Sequence, residues 1–147
     1  MSANTPYERR FQVAWADLDS NNHMRNTGYH DYAAQTRFLY LNDHGFTPRD
    51  FAAFGMGPMV FEETIQYRRE LRFLETFRVT YTIGGQSADG SRFIIVNRIL
   101  KEDGTLSAQI SSTGAWVDLK ARKVAPPPDA LKAAMDALVR EPDFKEL

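Results

Sequence analysis

The chain contains no cysteine. That excludes disulfides, Cys-ligated zinc, iron–sulfur clusters and any thiol nucleophile, and it agrees with a reducing compartment. Net charge is also nearly absent: 18 Lys and Arg against 19 Asp and Glu leave −1 at pH 7. No broad field of one sign therefore points to nucleic acid or to a membrane surface as a partner. No apolar stretch approaches the roughly 20 residues of a membrane span. The opening Met1 to Pro6 lacks the basic and apolar regions of a secretory signal, so a cytoplasmic protein is expected. His23, His30 and His44 do not have zinc-ligand spacing, and the sequence has no Gly-x-Ser-x-Gly elbow, no Walker loop and no Gly-x-Gly-x-x-Gly. No metal and no redox cofactor is expected. What remains is ordinary for a globular domain: 147 residues, 43% apolar and 25% charged. That length suits one domain over residues 1–147, able to bury roughly 68–70% of its unfolded surface.

The organising stretch is Trp15 to Gly45. Phe11, Val13 and Trp15 alternate with Gln12, Ala14 and Ala16, which predicts a strand following a loose arm at residues 1–6. Asp17 and Asp19 end it, and residues 19–27 read as a turn because Asp, Ser and Asn side chains bond nearby backbone. Asn26 or Thr27 is the expected helix N-cap. From Gly28 to about His44 the spacing predicts a helix. Tyr29, Tyr32, Ala33, Thr36 and Tyr40 share one face, while Phe38, Leu39 and Leu41 populate another. A helix apolar nearly all round is expected to be buried, and Gly45 is its stop.

After a connector at 46–57, in which Arg49 to Phe54 suggests one helical turn, strands follow: Pro58 to Arg68, Thr76 to Gln86, Arg92 to Lys101 and Leu106 to Leu119. Asp89-Gly90 and Asp103-Gly104 are hairpin signals. Beyond the basic Lys120 to Lys123 and three prolines, Asp129 to Val139 reads as an amphipathic helix; residues 129–147 are expected to be a C-terminal helix and tail. The fold class is α+β, an antiparallel sheet wrapped around one central buried helix. A sheet of this kind has long edges that need covering, so a homodimer or a dimer of dimers is expected.

Trp15-Ala-Asp-Leu-Asp19, then His23-Met-Arg-Asn26-Thr-Gly-Tyr29, then Tyr32 and Arg37, resembles the hotdog-fold acyl-CoA thioesterases of the 4-hydroxybenzoyl-CoA thioesterase type. The resemblance covers roughly residues 9–125 and implies the hotdog fold and hydrolysis of an acyl-CoA thioester, CoA being part of the substrate. It implies that Asp19 is the catalytic carboxylate. The backbone N–H at Asn26 would polarise the thioester carbonyl. Arg25 stands where the family often has Asn. The other branch of hotdog thioesterases uses a glutamate on the central helix, and this chain has none between residues 28 and 45. The hotdog dehydratases, with a differently set His/Asp pair, find no match.

The chemistry suits these residues. A thiol leaves easily, its pKa being only about 8.5, so the site needs an attacking or water-activating group and a holder for the oxyanion. Asp19 can serve as base or nucleophile, and free N–H groups at a helix start, aided by its dipole, can hold the oxyanion. Each has a plainer alternative. For Asp19 it is a turn residue capping backbone N–H groups, with Asp17 the fallback carboxylate. His23 either orients Asp19 or a water, or is a partly buried histidine satisfied by backbone. Tyr29 is core or pocket wall. Glu62 and Glu63 are read as a solvated outer face. Arg68, Arg69, Arg92 and Lys120 to Lys123 are candidates for a basic rim toward CoA phosphates. The alternative function is a non-catalytic module binding acyl-CoA or an acyl carrier.

Overall fold

The structure, a computed structural model, describes residues 5–147. Of the expected arm at 1–6, residues 1–4 lie outside the described residues. The elements run β1 (Tyr7–Gln12), a 3-10 turn (Trp15–Asp17), α1 (Asn26–Asp43), α2 (Pro48–Phe54), β2 (Met56–Tyr67), β3 (Thr76–Gln86), β4 (Arg92–Lys101), β5 (Leu106–Asp118), β6 (Lys123–Val124), α3 (Asp129–Asp136) and β7 (Arg140–Glu146). The sheet order is β1-β3-β4-β5-β2, with β6 added to β5 and β7 to β3. All pairings are antiparallel except β7 with β3. Both Asp-Gly signals are hairpin turns. Gly90 and Gly104 have φ of 78° and 89°, which only glycine adopts without cost. Asp89 and Asp103 each accept a backbone N–H two residues on, both at 2.9 Å.

The sheet curls around α1, and the sequence parity explains the core. In β4 the odd residues Phe93, Ile95, Asn97 and Ile99 are all buried at no more than 3% exposure. The apolar core has two halves. Val13, Met24, Tyr29, Ala33, Leu71, Phe77, Val79, Ile99, Ala108 and Ile110 form one; Tyr40, Leu41, Phe51, Tyr81, Ile83, Phe93, Ile95, Trp116 and the α3 residues Leu131 and Met135 belong to the other. Between them runs a polar belt, one layer thick in α1, β4 and β5. Arg37 Nε donates to Asn97 Oδ1 at 2.8 Å, Arg37 Nη2 to Ser112 Oγ at 2.9 Å and to Glu63 Oε2 at 3.2 Å. Asn97 Nδ2 donates in turn to the Thr80 carbonyl at 2.9 Å.

Several expectations are corrected. β1 begins at Tyr7 and stops at Gln12. The alternation through Trp15 is misleading, since Trp15 lies in the 3-10 turn and is 77% exposed. α1 starts at Asn26, two residues earlier than expected, and its N-cap is Arg25 with no side-chain cap bond. Nor is α1 buried all round: Asp31, Gln35, Phe38, Asn42 and Asp43 are exposed. The last segment is a strand. Arg140 to Glu146 extends the edge of β3 beyond β1, pairing with Ile83 to Gln86. It is held by Arg98, whose Nη1 and Nη2 donate to Glu141 at 2.9 and 2.6 Å. Among the described residues, no helix is long and apolar enough to cross a membrane.

Candidate active site

The chain between β1 and α1 is fixed by its own backbone. Arg25 N donates to the Asp17 carbonyl at 2.8 Å, Asp19 N to the His23 carbonyl at 2.8 Å, and Met24 N to the Leu71 carbonyl at 2.7 Å. Asn22 takes the left-handed conformation, φ 62°, which asparagine tolerates. These bonds aim the turn at the start of α1. Asp19 Oδ1 accepts the backbone N–H of Asn21 at 2.8 Å and of His23 at 3.2 Å. Its other oxygen, Oδ2, accepts no hydrogen bond from the described residues.

The helix start is open. Gly28 N closes onto the Arg25 carbonyl at 2.9 Å, while the N–H groups of Asn26 and Thr27 have no partner among the described residues. A helix leaves such donors at its start, where the dipole also favours negative charge. Arg25 braces this end: its Nη1 donates to the Ala16 carbonyl and its Nε to Thr27 Oγ1 at 3.1 Å. The side chain at the position where the family often has Asn thus wraps back on the turn.

A pocket of about 290 Å³ brings together Asp19, His23, Asn26, Tyr29, Arg68 and Arg69, the residues singled out by sequence. Met24, Tyr67 and Glu70 line it too. Tyr67 and Glu70 are functional candidates that sequence reasoning missed; their one signal is their position flanking Arg68-Arg69. Tyr67 OH donates to the Asn26 carbonyl at 3.1 Å, and its ring meets Tyr29 edge-on at 5.3 Å. Burial pushes the Tyr29 hydroxyl pKa up, so it stays a neutral wall. The Glu70 carboxyl is held below the usual carboxylate range, first by its own backbone N–H and then by nearby Arg72, His23 and Lys101. His23 is partly buried, and its backbone is bridged to Arg72.

Asp17, the fallback carboxylate, is already engaged. Its Oδ2 accepts the Ala14 N–H at 2.9 Å and the Tyr32 hydroxyl. Burial and Asp17 together raise the Tyr32 phenol. Of the basic candidates, only Arg68 and Arg69 reach this pocket. Arg122 and Lys123 line a separate surface hollow with Met59, Phe61 and Leu119, and Arg92 sits at the far end of β4, opposite Ala115.

Glu63 corrects another expectation: it faces inward, its side chain 19% exposed. Val60 and Glu63 both line the space beside α1, although strict alternation would separate them. The β2–β5 register slips between Val60 and Glu62, and such a bulge reverses parity. Glu63 Oε1 lies 2.8 Å from His30 Nε2, and Oε2 accepts from Ser112 Oγ at 2.6 Å and from Arg37. Burial opposes its ionisation, but the Ser112 hydroxyl, Arg37 and His30 outweigh that and hold its carboxyl below the usual range.

A family model described as thioesterase-like superfamily matches residues 13–135. Among solved structures the fold is that of a hypothetical protein from Staphylococcus aureus in complex with CoA (TM-score 0.84, 20% identity, covering 92% of this chain and 85% of that one). A 1,4-dihydroxy-2-naphthoyl-CoA thioesterase from Synechocystis is similar (TM-score 0.81, 19% identity, 90% and 96%), as is a gentisyl-coenzyme A thioesterase (TM-score 0.75, 19% identity, 88% and 99%). The curated proteins contain no match. The architecture is the expected hotdog fold.

Proposed function

The chain belongs to the thioesterase-like superfamily, and on that footing we propose that it hydrolyses an acyl-CoA thioester to the free acid and CoA. The observation that carries this is one juxtaposition: an aspartate with one oxygen unengaged shares a pocket with Asn26, whose N–H stands unpaired at a helix start beside that of Thr27. The thioester carbonyl oxygen takes the N–H groups of Asn26 and Thr27, which strengthen as it becomes an oxyanion; losing one such donor typically costs about 100–1,000-fold in rate. Asp19 Oδ2 attacks the carbonyl carbon or takes a proton from the attacking water. The two Asp19 bonds through Oδ1 fix its direction, which makes the encounter near-intramolecular. The carbon–sulfur bond then breaks and CoA leaves as a thiolate; where water attacked, the free acid is formed directly, and where Asp19 attacked, water hydrolyses the resulting acyl–aspartyl anhydride to the acid and restores the carboxylate. His23, beside Asp19, orients the water, and no cofactor is required.

Arg68 and Arg69 stand ready for CoA phosphates. CoA in the staphylococcal structure and the CoA substrates of the other two similar proteins support CoA as the carrier. A homodimer acting in the cytoplasm completes the proposal. β2 is an unpaired edge with Met59, Val60 and Phe61 exposed, a surface that invites pairing with a second copy. Sedimentation of the purified protein checks that part. The competing reading is a binding module in which Asp19 only caps its turn. A panel of acyl-CoAs with a thiol-reactive dye separates the two, because without cysteine only freed CoA reacts. Thiol release supports hydrolysis; tight binding of every member with no release supports the module.

A further inference from the structure

On the other side of the polar belt, α1 and β2 flank a second space, a cavity of about 270 Å³ walled by Leu41, Tyr81, Phe93, Ile95, Trp116 and Met135. The reaction described above does not use it. It is an apolar recess that opens to solvent at Phe38 and Val60, 45% and 40% exposed, and a recess of mostly apolar lining is the usual kind of ligand site. Its position says which ligand. Asn26, His30, Ala34, Arg37, Phe38 and Leu41 follow the i, i+4, i+8, i+11, i+12, i+15 series of one helix stripe. All of them but Asn26 line the cavity, and Asn26 carries the free N–H. β2 runs beside that stripe: Tyr67 reaches Asn26, Glu63 reaches His30 and Arg37, and the exposed Val60 and Pro58 line the cavity farther along. The two pockets thus lie end to end along one α1–β2 seam, on either side of the Tyr67–Asn26 bond and the His30–Glu63 pair.

We infer that this cavity receives the acyl chain and that it sets a medium-length aliphatic acyl group as the substrate class; the inference rests on the thioesterase reading. Packed to the density of a protein interior, the cavity takes roughly ten methylene groups. Each methylene moved from water into it contributes about 4-fold to kcat/KM. The rate constant therefore climbs with chain length, then levels where the cavity is full. Ala34, small and on the cavity wall, is the residue that keeps the space open.

The test is kcat/KM for saturated acyl-CoAs from butyryl to hexadecanoyl, with wild type, Ala34→Leu and Ala34→Phe. Far- and near-ultraviolet circular dichroism establishes that each variant is folded. The inference expects a wild-type optimum near about ten to twelve carbons. It also expects the dodecanoyl-to-butyryl ratio to fall at least about ten-fold in Ala34→Phe and by less in Ala34→Leu. A flat wild-type profile, or an unchanged ratio in a folded Ala34→Phe, overturns it; so does a variant that loses its dimer with no change in ratio, since the space then belongs to a subunit contact. If wild type releases no thiol, the thioesterase reading fails instead. The cavity is then judged by calorimetric binding of dodecanoyl-CoA against butyryl-CoA. Preference for the long chain, lost in Ala34→Phe, upholds it; equal binding overturns it.

Discussion

Replacing Arg37 by methionine tests whether the polar belt fastens α1 to the sheet. Methionine keeps an unbranched stem and removes the guanidinium. Three bonds go with it, to Asn97, Ser112 and Glu63. The Asn97 side chain is fully buried, so its Oδ1 is left without a partner, a cost of about 1–3 kcal/mol. Glu63 loses its buried counter-ion but keeps Ser112 and His30. Removing one partner of a buried pair typically costs about 3–5 kcal/mol. The side chains of Arg37 and Glu63 are 9% and 19% exposed and Glu63 retains other partners, so the lower end applies, about 3 kcal/mol. For a domain of this size that lowers Tm by about 6–12 °C. Urea unfolding of wild type, Arg37→Met, Glu63→Gln and the double variant measures both the loss and the coupling. A loss below about 1 kcal/mol in Arg37→Met, or no coupling with Glu63→Gln, refutes a fastening role.

Other outcomes follow from the same physics. Glu63 and Glu141 both have carboxyl pKa values held below 4.5 in the folded state. Their contribution is therefore fully present above the ordinary glutamate range and is lost as pH falls through the lowered folded values. Glu141→Gln is expected to be less stable than wild type at neutral pH and to lose less stability than wild type from about pH 5 to about 3, as read by urea midpoints. A Cβ on Gly114 would lie 2.3 Å from the Met59 carbonyl oxygen and 3.0 Å from the Phe93 ring. Gly114→Ala must therefore shift β2 against β5, at a cost of about 1–3 kcal/mol by overpacking; an unchanged urea midpoint contradicts this. If Arg68 and Arg69 meet CoA phosphates, alanine at both raises KM and weakens its dependence on salt, with kcat little changed; an unaltered salt dependence counts against that contact.

How much of this was legible in the sequence differs by element. The strands with clean turn chemistry were: Thr76–Gln86 and Arg92–Lys101 coincide with β3 and β4. The gathering of Asp19, His23, Asn26 and Tyr29 was too, because a turn and one helical turn bring them close whatever the rest of the chain does. Arg68 and Arg69 arrive from a distant strand end, which only the sheet order explains. Glu63 was misread because a bulge reverses the parity of β2, and no residue type announces a bulge. β7 was missed because Arg140-Glu-Pro-Asp-Phe-Lys-Glu reads as a polar tail. Its proline is tolerated only because the strand is an edge, and Glu141 is charged because it binds Arg98. The helix start differs from the expected one because Arg25, whose side chain wraps back on the turn and caps no N–H, stands at the N-cap position in place of Asn26 or Thr27.

The most direct measurement is thiol release from the best acyl-CoA by wild type and Asp19→Asn, paired with calorimetric binding of that acyl-CoA to each. The substitution keeps the acceptor oxygen that caps Asn21 and His23 and removes the charge. The account predicts a fall of at least about 100-fold in kcat with binding within a few-fold of wild type. Full activity in a folded Asp19→Asn would contradict it.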